Sequence, residues 1–156
     1  MTVRFACEKD IPQMNSLLYQ VERVHQQGRA DLFKEGAKKY TDNELKDMLK
    51  DKTKPIFAAV DENDVMKGYA FCVFQEHKGD NVLTDIKTLY IDDLCVDENC
   101  RGQHIGSVLY EAVKKFAKEQ GCYNVTLNVW ECNPSARKFY EKAGLKPYKT
   151  GMEVIL

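Results

Sequence analysis

No stretch of this 156-residue chain stays apolar for long. Its longest runs, residues 56–60 and 69–74, fall far short of the roughly 20 residues that cross a bilayer, so no membrane partner is expected. An excess of charge is missing too: Lys+Arg is 23 against Asp+Glu 24, a net of −1. Neither half of the chain is basic, so nucleic acid is not an expected partner. Arg4, Glu8, Lys9 and Asp10 break up the start of the chain and leave no room for the apolar core of a secretion signal. A cytoplasmic location is therefore expected. Absent as well is any Cys-x-x-Cys pair. The six cysteines (7, 72, 95, 100, 122, 132) and three histidines (25, 77, 104) keep no metal-binding spacing, which predicts reduced, mostly structural thiols and no metal. No repeat, low-complexity tract or linker divides residues 1–156, and the length fits one domain.

What is present alternates between strand and helix patterns. Residues 2–7 read as a strand. Asp10 with Pro12 opens a helix carrying Met14, Leu17, Leu18, Val21 and Val24 to about Gln27. Residues 28–39 read as a loop or short helix, and Thr41 with Glu44 is a capping box for a second helix. Strands are expected over 56–60, 65–75 and 85–96. A helix with Ile105, Val108, Leu109, Ala112, Val113 and Phe116 follows, closed by Gly121. Residues 124–130 alternate as a strand, Pro134 starts a short helix closed by Gly144, and residues 146–156 read as a last strand. The order indicates an α/β domain with a mixed, mostly antiparallel sheet and a late βαβ unit.

Polar residues of chemical interest concentrate between 89 and 140. The loop from Val96 into the helix at Ile105 holds Arg101, Gly102, Gln103, His104, Gly106 and Ser107. A helix start presents unpaired N–H groups and the positive dipole end, which suits phosphate; ordinary capping accounts for the same residues. The glycines let backbone approach a ligand without a Cβ in the way. The segment is neither a dinucleotide fingerprint nor a P-loop. Upstream, Asp92 and Asp93 sit in a strand with apolar residues on both parities, and regular alternation would send them to opposite faces. A carboxylate there is costly unless paired, with Arg4, Lys87 or Arg137 as candidate partners, or unless it works as a base of raised pKa. Tyr140, on an apolar helix face, is either core packing or a protonated group able to act as an acid.

Residues 89–144 resemble the GNAT superfamily of acetyl-CoA-dependent N-acetyltransferases. The signature Q/R-x-x-G-x-G/A reads Arg101-Gly-Gln-His-Ile-Gly106, and Asn133-Pro-Ser-Ala-Arg-Lys-Phe-Tyr-Glu-Lys-Ala-Gly144 matches a second family motif. Within the superfamily the motifs look most like diamine and polyamine acetyltransferases, and nearly as much like ribosomal-protein alanine acetyltransferases. The resemblance implies a central sheet splayed at the cofactor site with helices on both faces. It implies acetyl-CoA as co-substrate and a primary amine as acceptor, in a ternary complex. The pyrophosphate would lie on Arg101, Gly102, Gln103, His104, Ile105, Gly106 and Ser107, the pantetheine arm on the backbone of Leu94, Cys95 and Val96. Asn133 would bond the cofactor, and Tyr140 would protonate the departing thiolate. Asp92 or Asp93 would be the base. The glutamate some relatives carry earlier on this strand is replaced by Tyr90. His104 stands where the family usually has glycine, so a positive φ there would carry strain. The acceptor site is expected near His25, Arg29, Asp31, Phe33, Tyr90 and Trp130; Asp31 would either hold a cationic amine or be solvated. A homodimer through the last strand is in keeping with the family. A non-catalytic acyl-CoA-binding module of the same fold is the competing reading.

Overall fold

The computed structural model describes residues 1–156. Five strands, β1 (Thr2–Phe5), β2 (Ile56–Val60), β3 (Met66–Glu76), β4 (Lys87–Val96) and β5 (Asn124–Leu127), form one sheet in the order β1-β2-β3-β4-β5. All neighbours are antiparallel except β4 and β5, which are parallel and joined through a helix. Helices α1 (Ile11–Gly28) and α2 (Asp42–Lys50) cover one face, with Met14, Leu17, Leu18 and Leu45 packing on Ile56, Ala58, Tyr69, Phe71 and Cys95. Helix α3 (Ile105–Glu119) covers the other, setting Ile105, Leu109 and Val113 on Phe57, Ala59, Ala70, Cys72, Leu89 and Ile91. Helix α4 (Pro134–Lys142) adds Phe139 to that second core. Because β2 is sandwiched, all five of its residues are buried, which is why it reads as a continuous apolar run.

Local signals set the helix ends. Thr41 accepts from the Glu44 N–H while the Glu44 carboxylate accepts from the Thr41 N–H, the reciprocal pair expected from the sequence. Asp10 stands at the start of α1 but does not cap it through its side chain. Its carboxylate instead accepts from both Arg4 guanidinium nitrogens, at 2.8 and 2.9 Å, and from the Cys7 N–H at 2.8 Å. Burial alone would raise the pKa of this carboxyl, but Arg4 and the Cys7 N–H overcome it and hold the pKa below the usual range. The stabilisation is fully present above the unfolded carboxyl's pKa of about 4 and is lost as pH falls through the lower folded value. Asp10→Ala removes the bidentate, buried partner of the Arg4 guanidinium and leaves it only the exposed Asp64. It should lower unfolding free energy by about 3 kcal/mol in urea titrations at pH 7, a loss that narrows as the pH is taken below 4.

Two expectations are corrected. The strand at 124–130 ends at Leu127, because Trp130 turns to pack edge-on against Phe33 with ring centroids 5.2 Å apart. Residues 146–156 form no strand: they make no ladder with any of the five strands, and the outer edge of β5 stays unpaired. That tail passes a cleft lined by Tyr148 and Thr88, and Glu153 reaches Arg29. It leaves Met152, Val154, Ile155 and Leu156 almost wholly in solvent.

Candidate active site

The parallel ladder between β4 and β5 closes with Ile91 opposite Leu127, while β4 continues to Val96. Leu94, Cys95 and Val96 therefore keep their backbone groups unpaired on that side, in the gap expected from the splayed sheet. On the other side the same residues pair with Ala70, Tyr69 and Gly68. Cys95 turns its side chain toward α1 and donates to the Leu17 carbonyl at 3.5 Å. Burial, reinforced by Asp93, pushes its thiol up to about 12, so it is no nucleophile at neutral pH.

The strand leads into a short turn and then the start of α3. Arg101, Gly102, Gln103 and His104 are exposed there. Gly102 has φ +78° with open space around it, and His104 is the residue before the helix at φ 60°, ψ 15°. A left-handed residue with a Cβ costs roughly 1–2 kcal/mol, strain that the family's usual glycine avoids. The His104 carbonyl accepts the first α3 bond, from Val108. The N–H groups of Ile105, Gly106 and Ser107 thus have no helical acceptor and face outward as an anion-binding end. Gly106 also serves packing: a Cβ there would lie 3.2 Å from the Phe139 ring.

Asn133 starts α4, its side-chain oxygen accepting from the Ala136 N–H at 3.3 Å and the Ser135 hydroxyl at 3.1 Å. Its amide NH₂ remains as the group available to a ligand. Tyr140 is half-buried and packs against Phe139. Burial, with the charges of Asp93 and Cys95 adding to it, raises the Tyr140 hydroxyl well above its ordinary value, so it stays protonated.

The aspartates hold the largest departure from the sequence reading. Phe71 pairs with Asp93 and Cys72 with Ile91, leaving Asp92 as an extra residue on β4. This β-bulge breaks the alternation, so Asp92 and Asp93 both face α1 instead of opposite faces. None of Arg4, Lys87 and Arg137 is their partner. Asp92 accepts from Lys39 at 2.8 Å and from the Tyr40 hydroxyl, and Tyr40 is stacked on Phe71. Asp93 accepts from the buried Tyr69 hydroxyl at 2.7 Å. Burial raises the Asp93 carboxyl to about 6; Tyr69, Lys39 and His25 pull it down and Asp92 pushes it up. Burial likewise raises Glu22 and lowers His25, one turn apart on α1.

Glu22, Lys39, Tyr40 and Tyr69 escaped the sequence reading. Glu22 had a signal, a carboxylate four residues after Leu18 on the apolar side of α1. Tyr69 reads as an ordinary strand residue, and Lys39 and Tyr40 lie in a loop without periodicity. Of the expected acceptor residues, His25, Phe33 and Trp130 come together, with centroids 5.2 Å apart for His25–Phe33 and 6.5 Å for His25–Trp130. The Tyr90 hydroxyl accepts from Asn128 at 3.3 Å. Arg29 instead grips Asp31 at 2.8 and 2.9 Å and pairs with Glu153, so neither charge is free.

Comparison with known proteins bears on this arrangement. The acetyltransferase (GNAT) family model matches residues 20–145. Glucosamine 6-phosphate N-acetyltransferase of Arabidopsis thaliana is 36% identical over 59 residues, 38% of this chain and 38% of that protein. The chain spans less than half the length of the curated relatives it matches. A point mutant of a Bacillus halodurans protein superposes with a TM-score of 0.95 at 28% identity, covering 100% of this chain and 99% of that one. An aminoglycoside acetyltransferase from an uncultured soil metagenomic sample, in complex with sisomicin, shares the fold at a TM-score of 0.72 and 21% identity, covering 99% and 94%. With one family model spanning the β4 exit, the turn at residues 101–107 and α4 together, the chain belongs to the GNAT acetyltransferase family.

Proposed function

We propose that this protein moves the acetyl group of acetyl-CoA directly to a primary amine in a ternary complex. The observation that carries this reading is the β4 bulge. It turns Asp93 toward α1, within the electrostatic reach of Tyr140, at the level where the sheet opens. An alkyl ammonium has a pKa of about 10.4 and attacks only after losing a proton. Asp93 takes that proton, the nitrogen attacks the thioester carbon, the C–S bond breaks, and the Tyr140 hydroxyl protonates the sulfur. The N–H groups at residues 105–107 with Arg101 hold the pyrophosphate. The free backbone of Leu94, Cys95 and Val96 holds the pantetheine arm, and an N–H near Cys95 polarises the carbonyl. The raised pKa of Cys95 argues against an acetyl-cysteine intermediate.

Glu22, Asp92 and Asp93 outnumber Lys39 around the acceptor side, and Arg29 is already neutralised. This favours a cationic amine over a phosphorylated amino sugar. The test is acetyl-CoA consumption with spermidine, short diamines, aminoglycosides, an N-terminal alanine peptide and glucosamine 6-phosphate. Turnover is expected among the cationic amines; acetyl-CoA binding without turnover of any amine would favour the non-catalytic module.

A homodimer belongs to the same proposal. The outer edge of β5 has no neighbour, and the tail carries exposed Met152, Val154, Ile155 and Leu156. Sedimentation should give a dimer for the full chain and a monomer after removal of residues 151–156; a full-length monomer would sink the dimer. A cytoplasmic setting accords with six free thiols.

A further inference from the structure

We propose that Lys39 is itself an acceptor: its ammonium occupies the acceptor-amine position beside the β4 bulge, and the protein acetylates it when no amine is present. This rests on the functional reading above. Lys39 Nζ lies 2.8 Å from Asp92 Oδ2, and the Tyr40 hydroxyl donates to the same oxygen. The bulge brings Asp93 onto that face as the next residue, with Tyr69 fixing its carboxylate. The carboxylate pair that would receive an incoming ammonium thus already faces Lys39, Asp92 by direct contact and Asp93 through its charge. Its side chain is 36% exposed, so it is seated but not locked. Its charge acts on both Glu22 and Asp93.

The step balances with acetyl-CoA alone. The Lys39 ammonium gives one proton to the Asp93 carboxylate, and the free amine attacks the thioester carbonyl carbon. An N–C bond forms and the C–S bond breaks with its electron pair on sulfur. The thiolate takes the Tyr140 proton, and the second amine proton restores Tyr140. The products are Nε-acetyl-Lys39, coenzyme A thiol and one proton, which Asp93 returns to solvent. The modification removes the cation from Asp92 and leaves the carboxylates to an external amine.

The full-length protein is incubated with acetyl-CoA alone and its peptides are followed by mass spectrometry. Lys39 should be acetylated at least tenfold faster than Lys115, whose side chain is 80% exposed. The rate should not depend on protein concentration, and should fall at least tenfold in Asp93→Asn or with saturating spermidine. Lys39 acetylation no faster than that of Lys115, or unchanged in Asp93→Asn, overturns the proposal. The amine panel is run on the same preparation. Turnover of an amine without Lys39 acetylation overturns this inference alone, whereas no thioester loss under any condition overturns the functional reading with it.

Discussion

Tyr140→Phe is expected to lower acetyl-transfer turnover by about 10²-fold or more, with acetyl-CoA affinity held within about twofold. The substitution deletes one oxygen and keeps the ring that packs against Phe139, so α4 and the Gly106–Phe139 contact survive. What is lost is the proton for the departing sulfur. A thiol has a reference pKa of about 8.5, and the Tyr140 hydroxyl is held well above its own ordinary value by burial and by Asp93 and Cys95. It is therefore fully protonated when the C–S bond breaks. Calorimetric titration of acetyl-CoA into both proteins, beside a thioester assay, separates the two quantities. Equal turnover in the variant removes Tyr140 from the acid role.

Asp93→Asn carries the second large effect. At pH 7 a carboxyl with a pKa of about 6 is ionised in about nine molecules of ten, so Asp93 is ready for the proposed role of base at neutral pH. Asparagine keeps the shape and still accepts from Tyr69, but it takes no proton. Turnover at pH 7 should fall by about 10²–10⁴-fold. Stability should move the other way. A carboxyl raised by burial binds its proton more tightly folded than unfolded, so its contribution is complete below pH about 4 and is lost as pH rises through about 6. The asparagine variant has no such loss. Its melting temperature at pH 7 should equal or exceed that of the parent chain, with the dependence between pH 4 and 6 flattened. A variant that is both inactive and markedly less stable would assign Asp93 to the structure instead of the chemistry.

The fold was largely legible because its signals are local. The Thr41–Glu44 box, Pro134 after Asn133, Gly121 and Gly144 past helix ends, and the buried run at 56–60 each act over a few residues. So was the glycine-containing turn into α3, since residues 101–107 are contiguous and its signals are local. The orientation of Asp92 and Asp93 was not legible. Regular alternation is the default for a strand, and a bulge depends on how β3 and β4 settle against each other across twenty residues of chain. Tyr69, Lys39 and Tyr40 became part of the site only through that bulge, and nothing in their own neighbourhoods marks them. The tail failed as a strand for a related reason: strand pattern is intrinsic to residues 146–156, whereas pairing needs a neighbour.

Removal of the amine proton by Asp93 at the bulge is read out by pH–rate profiles of kcat/KM for one amine acceptor. The parent chain, Asp92→Asn and Asp93→Asn are compared. The parent profile should show an acidic limb near pH 6. Asp92→Asn should keep that limb and move it lower, because the Asp92 charge is one of the influences holding the Asp93 value up. Asp93→Asn should lose it. An acidic limb of the same midpoint persisting in Asp93→Asn would place the base elsewhere.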